Sequence, residues 1–291
     1  MSDTSQGLGI IFFGTSEFGA IVLQKLIQSG MGPLLVVTAP DKPAGRKQNL
    51  TPPPVKLLAE KYSTQVFQPE KIQNSKFKIQ NSKPDLIVLA AYGQIIPKEI
   101  LEIPTYGALN VHPSLLPKYR GASPIQAAIL NGEEKTGVTI MLMDEELDHG
   151  PILATRKFSN KIKKITYQEL HDELANVGAD LLIETIPKWV SGEIKSQEQD
   201  HTKATYTKRI TKEDGRIDWS KPAVYIERQV RAFSPWPGAF TFWKGKRVKI
   251  LKAHVEQGKL IIDELQLEGK KPTSFREFLL GHKDFVQPPE R

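Results

Sequence analysis

The sequence predicts an α/β protein, a mostly parallel sheet with helices on both faces, followed by a smaller β-rich domain. Three observations carry this expectation. Apolar runs of strand length recur up to Leu142, stretches with helical spacing fall between several of them, and after residue 207 a helix gives way to short strands.

The first apolar run, residues 8–13, is followed at 16–29 by Phe18, Val22, Leu23, Leu26 and Ile27 at helical spacing, and Gly30 stops the pattern. This is a β–α unit. Further strand-length runs lie at 34–38, 86–91, 108–112 and 138–142, with helical pieces at 55–61 and 124–130. The turn Gly14-Thr15-Ser16-Glu17-Phe18-Gly19 has neither the G-x-G-x-x-G spacing nor the Lys-Ser/Thr pair of a phosphate-binding loop, so it reads as a tight βα turn without a nucleotide. Ile-Gln-Asn-Ser-Lys occurs at 72–76 and again at 79–83, and the segment reads as a polar surface connection before Pro84. Residues 166–190 form a longer amphipathic helix with Leu170, Leu174, Val177, Leu181 and Leu182 on one face. The polar stretch 191–207 reads as a linker, dividing the chain into domains at 1–190 and 208–291. In the second domain a helix at 223–233 leads through Ser234-Pro235-Trp236-Pro237-Gly238 to strands at 239–243 and 247–254.

Composition narrows the chemistry. The 291 residues hold no cysteine, which excludes disulfides, zinc–thiolate sites and thiol nucleophiles, and nothing calls for an oxidising compartment. The polar start and the short first apolar run give neither a signal peptide nor a membrane span, so a cytoplasmic location is expected. Residues 191–291 carry 20 Lys and Arg against 14 Asp and Glu, which is +6 of the whole chain's +7. That asymmetry fits an anionic partner such as nucleic acid, although moderately basic tails are common and a merely soluble basic surface explains it more simply.

Three segments could carry function. In Asn110-Val111-His112-Pro113-Ser114-Leu115-Leu116-Pro117-Lys118-Tyr119-Arg120-Gly121, Asn110 and His112 share one face of a strand end. There an amide can donate to a developing oxyanion while an imidazole exchanges a proton, although hydrogen bonding in a turn explains such a pair as well. Asp144, Glu145, Glu146 and Asp148 crowd a loop after the strand at 138–142, which suits either proton transfer or a solvated acidic loop. The loop Pro40-Asp41-Lys42-Pro43-Ala44-Gly45-Arg46-Lys47 carries three cations in a Pro- and Gly-rich context, fitting a phosphate-contacting loop or a solvated one.

Taken together, Asn110-x-His112, Ser114-Leu115-Leu116-Pro117, Arg120-Gly121 and Asp148 before Gly150 resemble the 10-formyltetrahydrofolate-dependent formyltransferases over nearly the whole chain. The resemblance implies a Rossmann-like catalytic domain and an OB-like C-terminal barrel. Only residues 258–267 follow the strand at 247–254 before Gly269-Lys270-Lys271-Pro272, so the barrel is expected to be shortened. The resemblance further implies Asn110, His112 and Asp148 as catalytic residues and Ser114, Leu115, Leu116 and Pro117 as folate contacts. The run Ala91-Tyr92-Gly93-Gln94-Ile95 is similar to the family's pterin-pocket loop, which adds Ala91, Tyr92, Gly93 and Ile95. The loop at 40–47 resembles a tRNA-directed insertion, implying Lys42, Arg46 and Lys47 as tRNA contacts. The implied donor is 10-formyltetrahydrofolate and the implied acceptor the α-amine of initiator methionyl-tRNA, with a sugar-nucleotide amine as the alternative. No metal is implied, and a monomer is expected. His149 departs from the small residues usual at its position.

Overall fold

The computed structural model describes residues 7–45, 48–159, 162 and 164–285. In chain order the elements are β1 (Ile10–Gly14), α1 (Glu17–Gln28), β2 (Leu35–Val37), β3 (Lys42–Ala44), β4 (Asn49–Thr51), α2 (Pro54–Lys61), β5 (Val66–Phe67), α3 (Lys76–Asn81), β6 (Leu86–Ala90), α4 (Lys98–Leu101), β7 (Ala108–His112), β8 (Arg120–Gly121), α5 (Pro124–Leu130), β9 (Thr136–Leu142), β10 (Ile152–Phe158), α6 (Tyr167–Val190), β11 (Tyr206–Thr207), α7 (Ala223–Ala232), β12 (Ala239–Trp243), β13 (Lys246–Glu256), β14 (Lys259–Leu267), β15 (Thr273–Ser274) and α8 (Phe275–Gly281). Contacts group them into two units, one of residues 1–120, 137–158 and 172–205, the other of 121–136, 159–171 and 206–291.

The first unit is built on a seven-stranded sheet in the order β10-β9-β7-β6-β1-β2-β5. Its centre is parallel, because β1 pairs in parallel with β2 and β6, β6 with β7, and β2 with β5. Every residue of β1 is buried, as a strand covered on both faces requires, and this explains why its sequence is an unbroken apolar run. In α1, Phe18, Val22, Leu23 and Leu26 are buried, while Glu17 in the first turn and Lys25 in the last oppose the helix dipole. A Cβ on Gly19 would stand 2.6 Å from the Ala90 carbonyl oxygen, so glycine there lets the start of α1 approach the end of β6. The strand order reverses between β1 and β6, where a doubly wound sheet opens a crevice.

Three features depart from the sequence reading. The segment 72–83 is not a polar connection but a 3-10 turn, Ile72–Asn74, followed by α3, and Ile72 of the turn and Ile79 of the helix both enter the core. The basic loop is a hairpin in which Lys42, Pro43 and Ala44 face Thr51, Leu50 and Asn49. A two-stranded ribbon has only edges, which is where a strand tolerates proline. Finally, β9 runs antiparallel to β7 with Leu142 beside Leu109, and the unanticipated β10 takes the sheet edge next to it.

The second unit carries a four-stranded antiparallel sheet, β12-β13-β14-β15, with α5, α7 and α8. Both long hairpins turn through two residues at positive φ, Lys244-Gly245 and Gln257-Gly258, the backbone that matches strand twist in a tight hairpin. On β14 the buried positions run Leu260, Ile262, then Leu265, Leu267; this change of parity lies opposite the register shift around Lys252 on β13. Ile226, Val230, Val248, Ile250, Leu265, Phe278 and Phe285 form its core. Beyond β14 the chain adds β15 and then α8, whose first turn is closed by a reciprocal Ser274–Glu277 capping box.

Candidate active site

Strand alternation brings Asn110 and His112 to one face of β7, and both are almost fully buried, at 6% and 4% exposure. The loop after β9 returns Asp148 to them. Asn110 Nδ2 donates to Asp148 Oδ1 at 3.2 Å, and His112 Nδ1 lies 3.6 Å from Asp148 Oδ2. His112 Nε2 is 3.0 Å from the Tyr119 carbonyl oxygen. A carbonyl only accepts, so Nε2 carries the hydrogen, and in the neutral ring the Nδ1 lone pair faces Asp148. Amide, imidazole and carboxylate therefore form one cluster.

The residues after β7 are held by β9. Thr139 Oγ1 donates to the Ser114 carbonyl at 2.7 Å and accepts from the Leu116 amide at 3.2 Å, while Ser114 Oγ donates to the Lys118 carbonyl at 2.7 Å. The Leu116–Pro117 peptide is cis, and Tyr119 follows at φ 62°, with its carbonyl oxygen on His112. Ser114 and Leu116 are buried, and Leu115 and Pro117 are half-buried.

The loop 91–95 follows β6. Ala91 and Gly93 have positive φ, and the Thr15 amide and hydroxyl donate to the Ala91 and Tyr92 carbonyls at 3.1 and 2.9 Å. Gln94 Oε1 accepts from the Ile72 amide at 3.0 Å. Ile95 is exposed, whereas the Tyr92 ring turns into the core against Phe13. Burial pushes the Tyr92 hydroxyl up to about 12. Of the basic loop, Lys42 is exposed on β3, and Arg46 and Lys47 lie outside the described residues. Next to Lys42, Asp41 accepts from Gln68 and from Lys56 of α2, which together hold its carboxyl below the usual range.

Two side chains at the site, Gln199 and His201, carried no sequence signal. Gln199 Nε2 donates to the carbonyl oxygens of Asp148 and Gly150 at 2.9 and 2.7 Å, and its Oε1 accepts from Arg120 Nη2 at 2.7 Å. Arg120 Nη2 also lies 2.8 Å from His201 Nδ1, and the His201 ring stacks on His149 with centroids 4.0 Å apart. His149 in turn meets Asp144 Oδ2 at 2.7 Å. Gln199 and His201 come from the polar stretch 191–207, where no periodicity could flag them; only the fold brings them to Asp148.

This geometry sits within a chain whose residues 8–186 match the family model described as formyl transferase and whose residues 209–260 match the one described as formyl transferase, C-terminal domain. A methionyl-tRNA formyltransferase of Citrifermentans bemidjiense is 43% identical, with 97% of this chain and 95% of the relative covered. Among solved structures, a methionyl-tRNA formyltransferase from Clostridium thermocellum superposes with a TM-score of 0.60 at 22% identity, over 89% of this chain and 98% of that one. HypX from Aquifex aeolicus in complex with tetrahydrofolic acid superposes with a TM-score of 0.63 at 17% identity; it covers 98% of this chain, which spans about half of HypX, 49%. At these identities the two structures speak for the fold alone, and the doubly wound sheet followed by an antiparallel one is that fold. The two family models and the 43% identity over nearly its whole length assign the chain: it belongs to the formyl transferase family, among the methionyl-tRNA formyltransferases.

Proposed function

We propose that the chain transfers the formyl group of 10-formyltetrahydrofolate to the α-amino group of initiator methionyl-tRNA, giving the N-formylmethionyl-tRNA that starts translation, and that Asn110, His112 and Asp148 carry the reaction. The observation behind this is the buried cluster itself, in which Asn110 Nδ2 and His112 Nδ1 stand 3.2 and 3.6 Å from the two oxygens of one carboxylate. The curated relatives' activity and the tetrahydrofolic acid bound to HypX support acceptor and donor.

In the reaction the acceptor nitrogen attacks the formyl carbon, the bond from that carbon to N10 of the folate breaks, the amine gives up one proton and N10 gains one. No covalent enzyme intermediate is needed. The Asn110 amide donates to the oxyanion of the tetrahedral intermediate, and losing one such donor typically costs ~10²–10³ in rate. With its hydrogen on Nε2, the His112 ring is ready to take the amine's proton at Nδ1, where Asp148 stabilises the resulting imidazolium. The folate sits against Ser114, Leu115, Leu116 and Pro117 and the loop of Ala91, Tyr92, Gly93 and Ile95. Tyr92 contributes there through its backbone, because its ring is in the core. Lys42, Arg46 and Lys47 contact the tRNA. The enzyme acts as a monomer in the cytoplasm.

The test is formyl transfer from 10-formyltetrahydrofolate to charged initiator tRNA, run beside uncharged tRNA and a sugar-nucleotide amine. Transfer to the charged tRNA alone is expected. Asn110→Ala and Asp148→Ala are expected to keep fold and folate binding and to lose turnover by about 10²-fold or more. Full activity in either variant would remove that residue from the mechanism.

A further inference from the structure

Asp148 can serve as proposed only if its carboxylate is held against Asn110 and His112, and its backbone stands at φ 48°, in the left-handed region that Asp tolerates better than most residues. The hydrogen bonds to that backbone decide what holds it there. The carbonyl oxygens of Asp148 and Gly150 both accept from one group, Gln199 Nε2, at 2.9 and 2.7 Å. Gln199 Oε1 accepts from Arg120 twice, from Nη2 at 2.7 Å and Nε at 3.3 Å. Gln199 is 5% exposed and Arg120 1%.

The orientation of this amide is determined by chemistry. A guanidinium only donates and a carbonyl only accepts, so Oε1 must face Arg120 and Nε2 must face the loop; reversed, every bond would set donor against donor or acceptor against acceptor. The amide nitrogen donates to two carbonyls and the oxygen accepts from two guanidinium N–H groups. A fully satisfied amide in a dry site has one geometry, and it imposes that geometry on what it touches.

The segment carrying Gln199 is itself pinned. Gln197 pairs with Ile152 through two backbone bonds of 2.7 and 2.8 Å. Further along, Thr205 Oγ1 accepts from the Tyr119 amide and its carbonyl from the Arg120 amide, each at 2.8 Å. The Tyr119 carbonyl is the group that orients the His112 ring. One strap, residues 197–205, thus backs the loop of Asp148 at one end and the carbonyl that sets the tautomer of His112 at the other.

We infer that Gln199 is a positioning residue for the transfer step: it holds the backbone of the Asp148 loop so that the carboxylate meets Asn110 and His112, while touching neither folate nor acceptor. This rests on the role proposed above for Asp148. Gln199→Glu is nearly the same size and keeps an acceptor for Arg120, but its carboxylate cannot donate to the two carbonyls. Its expected signature is selective. The kcat should fall by about tenfold or more, as for a misplaced reacting group, while KM for folate and for charged tRNA stay within about twofold and the melting transition remains cooperative. Gln199→Asn, which keeps the amide and withdraws it by one methylene, should lower kcat in the same sense and supplies the reading if the Glu variant does not fold.

Wild-type kcat in a folded variant, or a loss of kcat matched by an equal loss of folate affinity, would overturn the inference. Asp148→Ala is measured in the same assay. If it were fully active, the role of Asp148 would fall; if it were impaired while both Gln199 variants were not, only the role of Gln199 would.

Discussion

Tyr92 buries a phenol whose oxygen has no hydrogen-bond partner among the described residues, and burial raises its ionisation from 10.0 to about 12. The folded state favours the neutral form, whereas the unfolded chain ionises near pH 10. The stability tied to this group is therefore whole below pH 10 and is lost as pH rises through about 12. Thermal melts across that window should show the decline, and Tyr92→Phe, which removes an unsatisfied buried hydroxyl, should reduce it and raise the melting temperature at pH 8. A Tyr92→Phe melt that tracked wild type at every pH would refute this. The residues differ in how far they could be read from the sequence. That Asn110 and His112 share a face follows from strand alternation, a local rule. That Asp148 joins them does not, because β9 is antiparallel and its carboxyl end lies beside the amino end of β7, away from the ends of the parallel strands. Only the family resemblance paired Asp148 with His112, and for Gln199 neither pattern nor resemblance offered a signal.

Among the elements, α1 and β6 approach closely near the switch point. Gly19→Val would drive a branched side chain into the Ala90 carbonyl oxygen, already 2.6 Å from an added Cβ. A loss of about 1–3 kcal/mol in urea unfolding is expected, the usual cost of forcing extra atoms into a packed contact, and an unchanged midpoint would show that α1 can retreat. The long strands and helices were readable because their apolar spacing mirrors burial directly, as in β1, α1 and α6. Short elements were not. In α3, six residues long, Ile79 is buried among polar neighbours, too short a stretch for apolar periodicity to show. In β3 a proline hides a strand that needs only one partner. In β10 half-buried positions alternate with Thr155 and Lys157, as on an edge strand, so no apolar run announces it.

At the scale of the molecule, charge is the property the sequence displays most plainly: +6 of the net +7 falls within residues 191–291. If this excess meets tRNA phosphates, kcat/KM for charged tRNA should fall at least about tenfold between about 50 and 200 mM salt, with the KM for folate nearly constant. A flat salt response would separate the basic C-terminal part from tRNA binding. The course of the chain has a different consequence. The first contact-defined unit takes in 1–120, 137–158 and 172–205 and the second the segments between and after, so the backbone passes from one to the other at 120, 136, 158, 171 and 205. Within the second unit α5, drawn from the middle of the sequence, packs on α7. A graft of 208–291 onto another catalytic domain would leave α5 and residues 159–171 behind, and a recombination that respects the contact-defined units would have to cut this chain five times rather than once.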